Sequence, residues 1–196
     1  MKINLLGYAL IALILYICFR IYNESIYFNL KCIISDVDGK KYCVRERAKL
    51  EMAADRLAKV NGNMETLVKH CGEIFPDRKN VKRLVEGYNP QKIYETLPTS
   101  EYTAYSQNKG EKLAFCLDTE KNGGNLIDMN TLTFVAIHEL AHIATISVGH
   151  TEEFWSNFKF LLQEAKKINI YEPIDYKNKP KRYCGMTITD NPYYDY

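Results

Sequence analysis

No two cysteines in this chain stand in a C-x-x-C spacing, although there are six in 196 residues. That excludes a cysteine-built zinc site, whose ligands come as close pairs. A large basic excess is missing too. Lys and Arg number 26 against 24 Asp and Glu, a net charge of +2 with no basic tail, so nothing marks a nucleic-acid surface. There is no internal repeat and no low-complexity linker, and the length suits one domain with a real core. Hydrophobic residues at 46% and charged residues at 26% are globular proportions. The fifteen tyrosines read as core and interface material, since each ring offers apolar area with one polar handle. The cysteines (Cys18, Cys32, Cys43, Cys71, Cys116, Cys184) read as buried free thiols. Cys32 and Cys43 flank a hairpin and would meet only in one register, so the redox compartment stays open.

Charge is also absent from residues 3–19, NLLGYALIALILYICF within them, and Ile21 and Tyr22 extend the apolar length. About 17–25 such residues suffice to cross a bilayer. A cleaved signal would want small residues at its end, and Ile17-Cys18-Phe19-Arg20 offers none. A buried core helix would have to be apolar all round at the extreme terminus. The expectation is a single-pass anchor over residues 1–22 that contacts the lipid bilayer, followed by one domain over 23–196. Lys2 and the amine on one side nearly balance Arg20 and Lys31 on the other, so neither the topology nor the membrane is named. The sequon Asn23-Glu24-Ser25 lies too close to the bilayer to decide it.

Within the domain, residues 23–45 read as a hairpin about Asp38-Gly39, a pair that tolerates positive φ. A core spans 46–170. It opens with an amphipathic helix over 46–71, loosened at Asn61-Gly62-Asn63, and a short helix ended by Pro90. Strands over 102–107 and 112–117 flank Asn108-Lys109-Gly110. Asp128 or Asn130 caps a helix over 131–144, and Thr151 starts another whose Phe154, Phe158, Leu161 and Leu162 share a face. The prolines of 171–196 and their lack of periodicity suggest a segment wrapped over the domain.

His138-Glu139-Leu140-Ala141-His142 falls on the 131–144 helix. Residues four apart share a helix face, so both imidazoles reach one tetrahedral ion. Glu139, beside the first ligand, is placed to act as general base toward the attacking water. A catalytic zinc wants a third protein ligand and one open position. His150, eight residues after His142 and just past Gly149, is the first candidate, with Glu152 and Glu153 as rivals. His70, alone on the long helix, reads as a core or surface histidine. Tyr102, Tyr105 and Tyr183 are candidates to stabilise an oxyanion.

The run HELAHIATISVGHTEEFWSNFKFLL resembles the core of WLM and SprT-type zinc metallopeptidases, in which an HExxH helix precedes a glycine-histidine step and a phenylalanine in the next helix. YTAYSQNKG and YCGMTITDNP resemble uncharacterised metallopeptidase-like proteins of large DNA viruses and algae. The resemblance implies an α+β, zincin-like domain with the HExxH helix, a small antiparallel sheet and flanking helices behind the transmembrane helix. It implies one catalytic zinc on His138, His142 and His150, Glu139 as the catalytic residue, and a protein or peptide substrate. The spacing is not that of metzincins, although Met186 invites comparison with their methionine. A strand of the 102–117 hairpin is expected to hold the peptide. The competing expectation is a structural or scaffolding membrane protein, for instance in a virus particle, that keeps the fold without turnover.

Overall fold

A computed structural model describes residues 5–24 and 30–195. Ile3 of the apolar run and Ser25 of the sequon lie outside them. Helix α1 (Leu5–Glu24) is long and apolar enough across Leu5–Asn23 to cross a membrane, and none of that stretch is buried.

The sheet begins with β1 (Lys31–Ile34) and β2 (Lys41–Val44), antiparallel about the expected turn, where Gly39 has φ +68°. Helices α2 (Leu50–Ile74) and α3 (Lys79–Gly87) then carry the chain across to β3 (Ile93–Glu95). A crossover of that length allows β3 to lie parallel to β2, with Tyr94 opposite Cys43. Strands β4 (Ala104–Gln107) and β5 (Lys112–Phe115) form the second hairpin, but β5 inserts beside β3, again in parallel. The order is β1-β2-β3-β5-β4. The expected antiparallel sheet is therefore mixed. Only the hairpin pairs are antiparallel, because the helical crossover returns β3 in the direction of β2.

Helix α2 does not loosen at Asn61-Gly62-Asn63. Fully buried Asn61 donates to the Tyr42 hydroxyl and the Pro90 carbonyl and accepts from the Tyr88 hydroxyl, while Asn63 donates to Thr133. These amides tie the helix to its neighbours instead of breaking it. Helix α4 (Met129–Ala144) starts at Asp128, whose carboxylate accepts from the Thr131 amide at 2.9 Å, a cap that contributes about 1 kcal/mol. It is buried on most of its surface among α2, α3, β4 and α5 (Glu152–Lys167), as its nearly unbroken apolar sequence requires. Thr151 caps α5, and Glu152 and Glu153 at its start with Lys166 and Lys167 at its end complement the helix dipole.

The C-terminal stretch packs Tyr171, Tyr176 and Tyr183 into the core and forms a small hairpin, β6 (Lys181–Tyr183) with β7 (Met186–Ile188). Four cysteines correct the free-thiol expectation. Cys32 pairs with Cys43, its direct cross-strand partner, and Cys116 with Cys184, which fastens the C-terminal hairpin to the end of β5. Spacing alone hides the second pair, 68 residues apart. Cys71 stays a buried thiol, as expected.

Candidate metal centre

His138 and His142 leave α4 on one side, one helical turn apart, while Glu139 turns inward and is only 5% exposed. The chain after α4 is drawn back by a set of polar ties. Lys109, from the β4–β5 turn, donates to the carbonyls of His142, Thr145 and Ser147. Arg83 of α3 donates to the Ala144 carbonyl and to Glu153. Glu153 also accepts from the Ile146 amide and the Ser147 hydroxyl. Gly149, at φ +85°, completes the reversal and delivers His150 ahead of α5.

The three histidines converge. His142 Nε2 lies 3.2 Å and His150 Nε2 3.1 Å from His138 Nε2. Three nitrogens bound tetrahedrally to one zinc at about 2.0–2.1 Å stand roughly 3.3 Å apart, so the donor set fits such an ion. Glu153 is occupied with the loop that carries His150, and Glu152 is exposed; neither joins the cluster. His70 is far from it in role, bonded to Glu164 at 3.0 Å.

Phe154, fully buried, forms the floor: its ring centre lies 4.9, 4.3 and 4.7 Å from those of His138, His142 and His150. Trp155 faces His150 at 5.5 Å, and Ile146 and Val148 are exposed on the intervening loop. Burial, helped by the neighbouring imidazoles, pushes His138 down to about 3. Burial, with His150 and Lys109, pushes His142 down to about 4. Both rings are thus neutral at pH 7, the form that ligates metal. Burial pushes the Glu139 carboxyl up to about 8, against the pull of a hydrogen bond from the Ser106 backbone amide.

Ser106 belongs to β4, the outer strand of the sheet, so the carboxylate sits against the sheet's free edge. Nothing in the sequence marks Ser106, Lys109 or Arg83 as part of this site. Their roles depend on which elements meet, and no local spacing signals that. Of the tyrosine candidates, Tyr183 is buried and donates its hydroxyl to the Thr103 carbonyl, Tyr102 is exposed, and Tyr105 is half-buried. Met186 is not beneath the histidines in any contact; it is half exposed, with its sulfur accepting from the Thr103 hydroxyl.

Fold and site together define a small α+β domain with an HExxH helix and a histidine cluster suited to one metal ion. The chain belongs to the WLM domain family, a metallopeptidase-like family whose model matches residues 46–193. It is 32% identical over 187 residues to Uncharacterized protein R325 of Acanthamoeba polyphaga mimivirus, covering 93% of this chain and 92% of that protein. It is 36% identical over 84 residues to Uncharacterized protein 136R of Invertebrate iridescent virus 6, covering 41% of this chain and 44% of that one. Uncharacterized protein 042R of Invertebrate iridescent virus 3 is 32% identical over 125 residues, covering 61% and 75%. No solved structure matches the chain significantly.

Proposed function

We propose that this chain is a membrane-anchored zinc metallopeptidase, with His138, His142 and His150 as the zinc ligands and Glu139 as general base. The observation that carries this reading is the convergence of three imidazole nitrogens, the first of them on the residue preceding buried Glu139. A structural zinc site closes with four protein ligands, whereas three leave room for a reactant. When bound, zinc supplies Lewis acidity toward a carbonyl oxygen and brings the pKa of water to about 7. Burial favours the protonated form of Glu139, and the charge of a bound zinc would favour the ionised one; in that form Glu139 takes the proton of the attacking water on a carboxylate oxygen and passes it to the leaving amine. The Ser106 amide of the edge strand favours the ionised form of that carboxyl. An extended peptide laid along β4 as an added strand meets Glu139 at the level of Ser106. Exposed Ile146, Val148 and Trp155 offer apolar contact near His150. The uncovered apolar surface of α1 supports the anchor.

The test uses the full chain in detergent. It should retain about one zinc, and His138→Ala with His142→Ala should abolish tight binding, because one remaining ligand underholds the ion. Glu139→Gln should keep fold and zinc yet lose activity on a peptide library by roughly 10²–10⁴-fold. Stoichiometric zinc in the histidine double variant would sink the site. Undiminished, chelator-sensitive cleavage by Glu139→Gln would sink the mechanism. Folded, zinc-loaded protein that cleaves nothing would favour the scaffold.

A further inference from the structure

Charge leaves open which face of the membrane carries the domain, but the cysteines do not. Cys32 and Cys43 sit directly opposite each other on β1 and β2, with Cα atoms 3.9 Å apart, and are bridged. Cys32 lies on the exposed side of β1, the margin of the sheet. A thiol pair so placed stays reduced in a glutathione-buffered compartment and bridges in an oxidising one. The second bridge joins the end of β5 to the turn of the C-terminal hairpin, with both residues buried. It is surrounded by contacts that need the hairpin in place: the Cys184 amide donates to the Asp118 carbonyl, and that of Gly185 to the Thr119 carbonyl.

The unbridged thiols complete the pattern. Cys71 is fully buried in the α2 face of the core, and Cys18 lies within apolar α1. No free thiol of the described domain reaches its surface, where it would attack the bridges by exchange. The bridges therefore face no competing thiol from the domain itself.

We infer that residues 30–195 fold and work on the oxidising face of the membrane, with the N-terminus on the reducing face, so that the site acts on polypeptide segments exposed on that oxidising face. Each bridge forms by thiol–disulfide exchange: two thiols lose two protons and two electrons to a disulfide oxidant, which becomes a dithiol. The placement itself is independent of catalysis; only the substrate class rests on the metallopeptidase reading.

The experiment makes the full chain in the presence of sealed microsomes with an oxidising lumen. Protease is added outside, and thiols are counted after denaturation with a maleimide–polyethylene glycol mass tag, before and after reduction. The domain should resist protease until detergent opens the vesicles. Two tags should add before reduction, at Cys18 and Cys71, and six after. Digestion in sealed vesicles, or six reactive thiols before reduction, overturns the inference. A protected chain that has lost α1 and Cys18 upholds the oxidising placement and overturns only the anchor. Glu139→Gln, run in parallel, should give the same protection and tag count. Failure of the peptidase reading would then show in cleavage assays alone, and failure of the topology in this assay alone.

Discussion

Phe154 packs against all three imidazoles and is itself fully buried, so it serves the core and the metal face at once. Phe154→Ala should cost about 3–5 kcal/mol, through lost burial and the cavity left behind, and should weaken zinc binding as the rings lose their floor. His150→Ala should separate the two effects. Its side chain is exposed, so removing it should change stability by about 0.5 kcal/mol or less while still lowering zinc affinity. Denaturant titration and zinc competition measure the two quantities, and equal loss of stability in both variants would refute the distinction. At this scale the sequence was informative where chemistry is local. His138, Glu139 and His142 are fixed by one helical turn, and His150 by a glycine just before it. Ser106 and Lys109 were silent because their partners lie on α4 or just past its end, more than thirty residues further on.

The β4–β5 turn rests closely on α3 and α4. Gly110 has φ +106°, and a Cβ there would lie 2.3 Å from the Gly87 carbonyl oxygen and 2.8 Å from Ile143 Cδ1. Gly39 has φ +68° in the other hairpin, with nothing within 4 Å. Gly39→Ala should therefore cost only the backbone strain, about 1–2 kcal/mol. Gly110→Ala should cost about 3 kcal/mol or more and weaken zinc binding, because the turn carries Lys109. Equal midpoints for the two variants in urea would show that the contact is not close. Between α2 and α5, His70 and Lys167 both bond to buried Glu164. Burial pushes this carboxyl up, but Lys167 and His70 outweigh it and hold it below the usual carboxylate range. A lowered folded pKa contributes stability above the unfolded value of about 4.3, and that stability is lost as pH falls through the folded value. Glu164→Gln should be less stable than wild type at pH 7, and the gap should be narrower at pH 3. Urea titrations at both values check this, and a constant gap would contradict it. Helices were legible here because apolar residues recur every three or four positions. The three residues of β3 give no period, and parallel pairing depends on where α2 and α3 return the chain.

Across the whole molecule, the bridges and a buried ion cluster hold together parts that sequence distance separates. Arg47 pairs with Glu95 and Asp118, and Arg45 donates to the Thr96 and Lys121 carbonyls, joining β2, β3 and the segment after β5. None of this was visible in sequence, since charges compose such a cluster only after the sheet has assembled. The cysteine pairing was not legible: the hairpin lets Cys32 and Cys43 meet in one register without deciding that they bridge, and nothing local announces Cys116 and Cys184. Chain entropy ranks the bridges by the loops they close, 11 against 68 residues. Replacing Cys116 and Cys184 by alanine should cost roughly 4 kcal/mol, and replacing Cys32 and Cys43 roughly 3 kcal/mol. Thermal unfolding of the two double variants tests the order, and the reverse ranking would mean that native packing, not loop length, sets the cost. Helix α1 has a last consequence. Only residues 24–30 separate its apolar span from β1, a reach of at most about 25 Å. With α1 in a bilayer, a substrate tethered within that reach meets the site at an effective concentration in the millimolar range. A dissociation constant of about 1 mM, too weak to matter between free molecules, would then keep the site half occupied.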